Sequence, residues 1–179
     1  INKSNVVRNI EELTAKAKEI IEVYKQEALV EEFIEGKELT VGVLENGLTR
    51  VLPILEIDFE SCRKSGEYFY SWRMKEYQGN QEMGLVPTFH CPARLDKETE
   101  ERIKDVVVRT HRAVGCLDIS RTDIRLDSKG VPYVLEINPL PGLNPRESNF
   151  PIMAYAAGMK YEELIEAILK SASERKKLN

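Results

Sequence analysis

A chain of 179 residues that is 42% hydrophobic and 31% charged has the ordinary composition of a globular domain, which excludes a fibrous or disordered protein. Its 26 basic and 30 acidic residues leave a formal charge of -4 and are spread along the chain, so no basic stripe marks a nucleic-acid partner. No apolar run approaches the roughly 18 residues of a membrane span, and Cys62, Cys91 and Cys116, without a CxxC pair, suit the reducing cytoplasm.

The chain opens Ile1-Asn2-Lys3 without an initiator Met and enters patterned sequence within a few residues, as expected of a piece of a longer protein. Asn9 followed by Glu12 is a capping-box signature, and Ile10, Leu13, Ala17, Ile20, Ile21 and Tyr24 recur at helical spacing, so residues 10 to 27 are predicted as an amphipathic helix. ALVEEFIEG then reads as a strand running to Gly36. ELTVGVL alternates before Asn46-Gly47, a strong hairpin signal, and LTRVLPILEI continues beyond it.

Residues 59 to 95 read as irregular, rich in Tyr, Ser, Arg, Lys and Gly, and long loops of that kind tend to carry function. A second helix is predicted from Asp96, with Ile103, Val106, Val107, Thr110 and Val114 on one face and Gly115 as its stop. DISRTDIRL and VPYVLEIN flank Asp127-Ser128-Lys129-Gly130 as a further hairpin. From about Ile152 the pattern gives two short helices broken at Gly158, then a solvated SERKKLN tail. Mixed helices and strands in this order predict an α+β fold with a largely antiparallel sheet and flanking helices.

The later hairpin holds the chemistry. Ile124, Leu126, Val131, Tyr133, Leu135 and Ile137 share one parity, while Arg121, Asp123, Arg125, Glu136 and Asn138 fall on the other. With the turn at residues 127 to 130, Asp123 lies opposite or diagonal to Glu136, at roughly 5 to 8 Å. Two adjacent carboxylates repel, so a cation is the natural third party, and oxygen ligands favour magnesium over zinc. Arg121 on the same face is suited to a phosphate or a developing oxyanion. The plain alternative is a solvated salt-bridge face, the default for an antiparallel sheet. Asn138-Pro139-Leu140-Pro141-Gly142-Leu143-Asn144-Pro145 leaves the hairpin as a rigid loop in which Gly142 is placed to present its backbone N–H.

RTD, LEIN and LPGL resemble the signature of ATP-grasp enzymes, specifically the D-alanine:D-alanine ligases and their close relatives. ALVEEFIEGKELTVGVL resembles that family's adenine-binding segment. The tract from Tyr70 to Tyr77 around Lys75 resembles its loop over the phosphates, and Cys91-Pro92-Ala93 follows as in the family. The resemblance implies that residues 1–179 are the C-terminal catalytic part of an ATP-grasp fold. It further implies an acylphosphate-forming ligase making D-alanyl-D-alanine for peptidoglycan.

By that resemblance Glu31 and the backbone at Phe33 and Ile34 meet adenine, Glu38 takes the ribose hydroxyls, and Lys75 contacts phosphate. Asp123 and Glu136 hold one Mg2+ and Glu136 with Asn138 a second, with Mn2+ as an alternative ion. Arg121 and the Gly142 N–H stabilise the tetrahedral intermediate. The implied partners are ATP, D-alanine or a similar amino acid, the N-terminal domains of the same full-length chain, and a second copy in a homodimer. By themselves, Glu31, Glu38 and Lys75 read as surface residues.

One departure concerns the acceptor. The family pattern has Thr or Ser soon after the PG glycine and a serine five residues after it, whereas here Asn144, Pro145 and Arg146 intervene and Ser148 comes six residues on. Ser148 and Arg146 are the candidates for the acceptor carboxylate. An acceptor other than D-alanine, a hydroxy acid included, is the alternative this loop raises, and a non-catalytic nucleotide-binding domain is the alternative of another class.

Overall fold

A computed structural model describes residues 2–45 and 48–176. In chain order the helices and strands are α1 (Ile10–Tyr24), β1 (Lys37–Glu45), β2 (Thr49–Val51), β3 (Leu55–Asp58) and α2 (Trp72–Tyr77). They continue as β4 (Thr88–His90), α3 (Lys97–Ala113), β5 (Ile119–Leu126), β6 (Pro132–Asn138), α4 (Asn149–Ala156) and α5 (Tyr161–Lys176). The chain divides into two compact units, Ile1–Ile34 with Phe59–Pro87 and Glu35–Asp58 with Thr88–Asn179.

The larger unit is built on an antiparallel sheet in the order β4-β3-β1-β5-β6, with β2 also pairing β1. β1 is central and buried on both faces, which is why Leu39 to Leu44 carry no exposed side chain. On one face Leu39, Val41, Val43, Ile124 and Leu126 pack with Ile103 and Val107 of α3. On the other, Gly42 leaves room for Phe150 of α4: a Cβ there would come within 2.9 Å of the Phe150 ring and of Leu52. α3 begins on Asp96, whose carboxylate accepts the Thr99 N–H at 2.9 Å, and the chain turns at Gly115 with φ 69.

Several sequence expectations change here. LTRVLPILEI is two short strands because Pro53 has no N–H for the ladder, although Leu52 and Ile54 stay buried. The expected Asn46-Gly47 turn lies outside the described residues. The helix after Gly158 is longer than predicted: α5 runs to Lys176, and Arg175 inside the expected solvated tail grips Asp118 at 2.8 Å.

In the smaller unit α1 is capped by Asn9, which accepts the Glu12 N–H at 2.8 Å, and ends at Tyr24 because Lys25 turns left-handed at φ 56. The strand expected at ALVEEFIEG does not form: no strand is assigned over residues 28–36, and Leu29 stays 83% exposed. The stretch predicted as irregular contains a 3-10 turn at Glu60–Ser65, then α2, then β4. Ser71 caps α2 by accepting the Met74 N–H at 3.1 Å, and Met74 packs with Cys62 and Leu85 in a small core.

Candidate functional site

The β5–β6 hairpin places its charged residues by register. Asp123 faces Glu136 and Arg121 faces Asn138 across the pair, so the two expected carboxylates are direct neighbours. The uniform parity predicted for the hairpin fails one step further on. A bulge between Asp123 and Ile124 pairs Ile124 with Val134 and Arg125 with Tyr133, leaving Leu135 as the extra residue. Tyr133 thereby joins the charged face instead of the apolar one, and Leu135 is 55% exposed.

Asp123 is held from three directions. Arg121 donates Nε to its Oδ1 at 3.0 Å and an Nη to its Oδ2 at 2.8 Å, and Thr40 on β1 donates its hydroxyl to Oδ1 at 2.6 Å. The Arg121 guanidinium also lies 3.9 Å from Glu136, so a cation already bridges the facing carboxylates. Glu136 is 60% exposed at its side chain, whereas Asp123 and Arg121 are mostly covered. Asn138 Oδ1 accepts the Leu140 N–H at 2.9 Å, an Asx-type turn that starts the loop. Further along β5, Arg125 donates to Glu38 at 3.1 Å, with side chains only 6% and 12% exposed.

This donor set fits a hard divalent cation. Carboxylate and amide oxygens suit Mg2+, which keeps several waters and binds through one or two carboxylates plus phosphate oxygens. Among the described residues no group of three or more His, Cys, Asp and Glu side chains is placed to hold a metal. Two carboxylates and an amide therefore require oxygens from outside the protein to complete a shell. The salt-bridge alternative is partly realised in the Arg121–Asp123 pair, but the exposed Glu136 opposite it is not consumed by that pair.

The loop after β6 is organised by side chains. Ser148 Oγ accepts the Asn144 N–H at 3.1 Å, and Asn144 Oδ1 accepts the Arg146 N–H at 2.9 Å. Gly142 is exposed, and a Cβ there would meet Ser148 Oγ at 2.7 Å. The glycine thus serves a close approach by Ser148 as well as leaving its N–H accessible. Arg146 is exposed on the same loop.

Glu31, Phe33, Ile34 and Lys75 belong to the smaller unit, and Arg121, Asp123, Glu136, Asn138, Gly142, Arg146, Ser148 and Glu38 to the larger one. Glu31 is exposed, Ile34 half-buried, and the Phe33 ring packs edge-on against Tyr68 and Phe69 at 5.7 and 5.8 Å. Lys75 is an exposed residue of α2, with Nζ 5.8 Å from the Tyr70 ring centre. Burial pushes the Cys91 thiol up to about 11, which keeps it from acting as a thiolate nucleophile. Thr40 was not a sequence candidate. Its only sequence signal is that it alternates with Glu38 on β1, and its partner Asp123 is 83 residues away.

Comparison with known proteins gives the family of the chain. Residues 4–170 match the family described as D-ala D-ala ligase C-terminus, and the chain belongs to that family. It is 37% identical over 167 residues to an uncharacterized protein of Sinorhizobium fredii, covering 92% of this chain and 46% of that one. It is 36% identical over 170 residues to a D-alanine--D-alanine ligase of Desulforudis audaxviator, covering 95% of this chain and 51% of that one. The chain spans about half the length of the curated relatives it matches.

Among solved structures, the D-alanine--D-alanine ligase of Bacillus anthracis complexed with ATP superposes with a TM-score of 0.70 at 24% identity, over 96% of this chain and 49% of that one. The D-Ala:D-Ser ligase of Enterococcus faecalis gives 0.64 at 24% identity, over 90% and 43%. The fold is therefore that of the C-terminal ATP-grasp part of these ligases: an antiparallel sheet with flanking helices.

Proposed function

We propose that residues 1–179 form the C-terminal catalytic part of a longer, cytoplasmic, ATP-dependent ligase that joins two D-alanines for peptidoglycan synthesis. The observation that carries this is the direct facing of Asp123 and Glu136, flanked in register by Arg121 and Asn138, in a chain of the D-ala D-ala ligase family. In the reaction, the γ-phosphoryl group of ATP passes to a carboxylate oxygen of the first D-alanine and ADP leaves. The amine of the second D-alanine then attacks the acyl carbon, phosphate departs, and the amine loses a proton.

Two Mg2+ ions, or Mn2+ in the same oxygen sites, supply neutralisation of phosphate charge when bound. Asp123 with Glu136 and Glu136 with Asn138 are the residues that would hold them. Arg121, kept in place by its two bonds to Asp123, directs positive charge to the transferring phosphoryl group and the oxyanion. Gly142 offers its N–H to the same oxyanion. Glu31 and the backbone at Phe33 and Ile34 take adenine, Glu38 the ribose and Lys75 the phosphates. Catalysis rests on positioning and charge, with no covalent nucleophile. The preceding domains of the full-length chain and a second copy in a homodimer complete the assembly.

A second reading keeps the chemistry and changes the acceptor. The hydroxyl that would bind the acceptor carboxylate, Ser148 Oγ, already accepts the Asn144 N–H, and Arg146 is exposed on the same loop. One solved structure of this fold is a D-Ala:D-Ser ligase, so acceptor variation occurs on the fold. The test is phosphate release by the full-length protein with Mg-ATP, across D- and L-amino acids and hydroxy acids, with mass detection of the product. Strong release and dipeptide with D-alanine alone supports the first reading and ends the second. No amino-acid-dependent release from any substrate would leave a non-catalytic nucleotide-binding domain. The 179 residues by themselves are expected to show no turnover with D-alanine and Mg-ATP.

A further inference from the structure

Along β5 the site-facing side chains alternate in sign: Arg121, Asp123, Arg125. Residues two apart on a strand are about 6.6 Å apart, so Arg121 and Arg125 stand roughly 13 Å from each other. That span is on the scale of a nucleoside triphosphate from its terminal phosphate to its sugar. The Arg121 end carries the proposed phosphoryl chemistry and the middle the proposed metal. Arg125 marks the third position and is buried to 5% exposure.

Arg125 faces Glu38 across the β1–β5 pairing and donates to its Oε2 at 3.1 Å. On the other side it faces Tyr133 of β6, brought to this face by the bulge. Burying an ion pair gains little stability, because desolvation offsets the attraction, and an apolar pair of similar volume would serve the sheet as well. What such a pair does provide is orientation. A glutamate with three rotatable bonds is oriented by the planar, always charged guanidinium that holds its Oε2, and a lysine's flexible ammonium does not reproduce that planar geometry.

We propose that Arg125 is a positioning residue for the nucleotide sugar, holding the Glu38 carboxylate where the ribose hydroxyls reach it and so making nucleotide affinity depend on those hydroxyls. The proposal rests on the ATP reading above, in which Glu38 takes the ribose. It adds that the preference for a ribose over a deoxyribose resides in the Glu38–Arg125 pair and is lost with Arg125 even though Glu38 remains.

The test uses the full-length protein, as wild type, Arg125→Met and Arg125→Lys. Calorimetry measures binding of Mg-ATP and Mg-2′-deoxy-ATP, and steady-state kinetics give KM and kcat for ATP. Wild type should prefer ATP by roughly tenfold, the size expected for a hydrogen bond to a charged group. Arg125→Met should bring the two nucleotides within about twofold of each other, raising KM for ATP with kcat held, and Arg125→Lys should fall between, as a flexible ammonium replaces the planar guanidinium.

Equal loss of both nucleotides in the variants would show a merely structural residue, and an undiminished preference would show that Glu38 needs no help. Either result overturns the proposal. If Arg125→Met does not fold, Arg125→Lys decides by the same comparison. A wild type that binds both nucleotides alike sinks only this inference, whereas one that binds neither removes the ATP reading with it.

Discussion

The two ends of strand β6 are built by different means. Before Asn138, the charged groups are held by ladder register, with Asp123 opposite Glu136 and Thr40 locking Asp123 from the neighbouring strand. After Asn138, residues 139–148 are held mainly by side chains bonded to backbone, through Asn138 to Leu140, Ser148 to Asn144 and Asn144 to Arg146, with one backbone bond from the Ser148 N–H to the Asn144 carbonyl. A ladder cannot shift one residue without moving every side chain to the other face. A loop tied by single side chains accepts insertion and replacement at small cost. The contrast explains how the face proposed for phosphoryl transfer can be fixed while the loop beside it, proposed for the acceptor, can vary.

The largest effect should come from the ladder. Asp123→Asn in the full-length protein keeps the shape but removes a charge, and ATP turnover should fall roughly a thousandfold, with circular dichroism unchanged. The loop should respond less and differently. Gly142→Ala sets a Cβ 2.7 Å from Ser148 Oγ, so Ser148 must move and release Asn144. We expect acceptor KM to rise about 10- to 100-fold with ATP affinity retained. Because Ser148→Ala removes the obstructing hydroxyl, the double variant should be no worse than Ser148→Ala alone; additive losses would break the explanation.

A smaller effect tests whether the ladder tunes its own carboxylate. Thr40→Val removes the 2.6 Å bond to Asp123 without changing side-chain volume much. The Mg2+ concentration for half-maximal nucleotide binding should rise about three- to tenfold, and Thr40→Ser should restore it.

The smallest effect lies away from both regions. His111 is buried with Nδ1 2.7 Å from Ser120 Oγ. Burial holds its pKa below the ordinary 6.5, against an opposing pull from Glu45 and the Leu117 carbonyl. The unfolded chain therefore takes up a proton near pH 6.5 that the folded chain resists. Stability should be level above that pH and decline as pH falls below it. Denaturant titrations across pH 5 to 8, conditions chosen around that value, should show the slope in wild type and its loss in His111→Asn.

Much of this was legible in the sequence where one local rule acts alone. Asn9 with Glu12, and Asp96 before an apolar period, announced helix starts that the structure reproduces. RTD lies on β5 and LEIN on β6, the two strands of the expected hairpin. The bulge was not legible: VPYVLEIN has apolar residues at both parities, so the sequence permits either face for Val134 and Leu135, and the partner strand decides. The six residues of α2 are too few to show a helical period. ALVEEF has strand composition, but composition alone does not form a ladder. Thr40 was invisible because its role depends on a neighbour distant in sequence, which is also why Arg125 read as one more surface charge.

Asp123, Glu136 and Asn138 are the residues proposed to hold the metal ions of a nucleotide site on this hairpin. The direct measurement is titration of the full-length protein with Mn2+ in the presence of ATP, followed by electron paramagnetic resonance. Glu136→Gln, at the proposed shared ligand, should lose nearly all protein-dependent Mn2+ binding, while Asn138→Ala should lose only part of it. Mn2+ binding in Glu136→Gln equal to that of the wild type would contradict it.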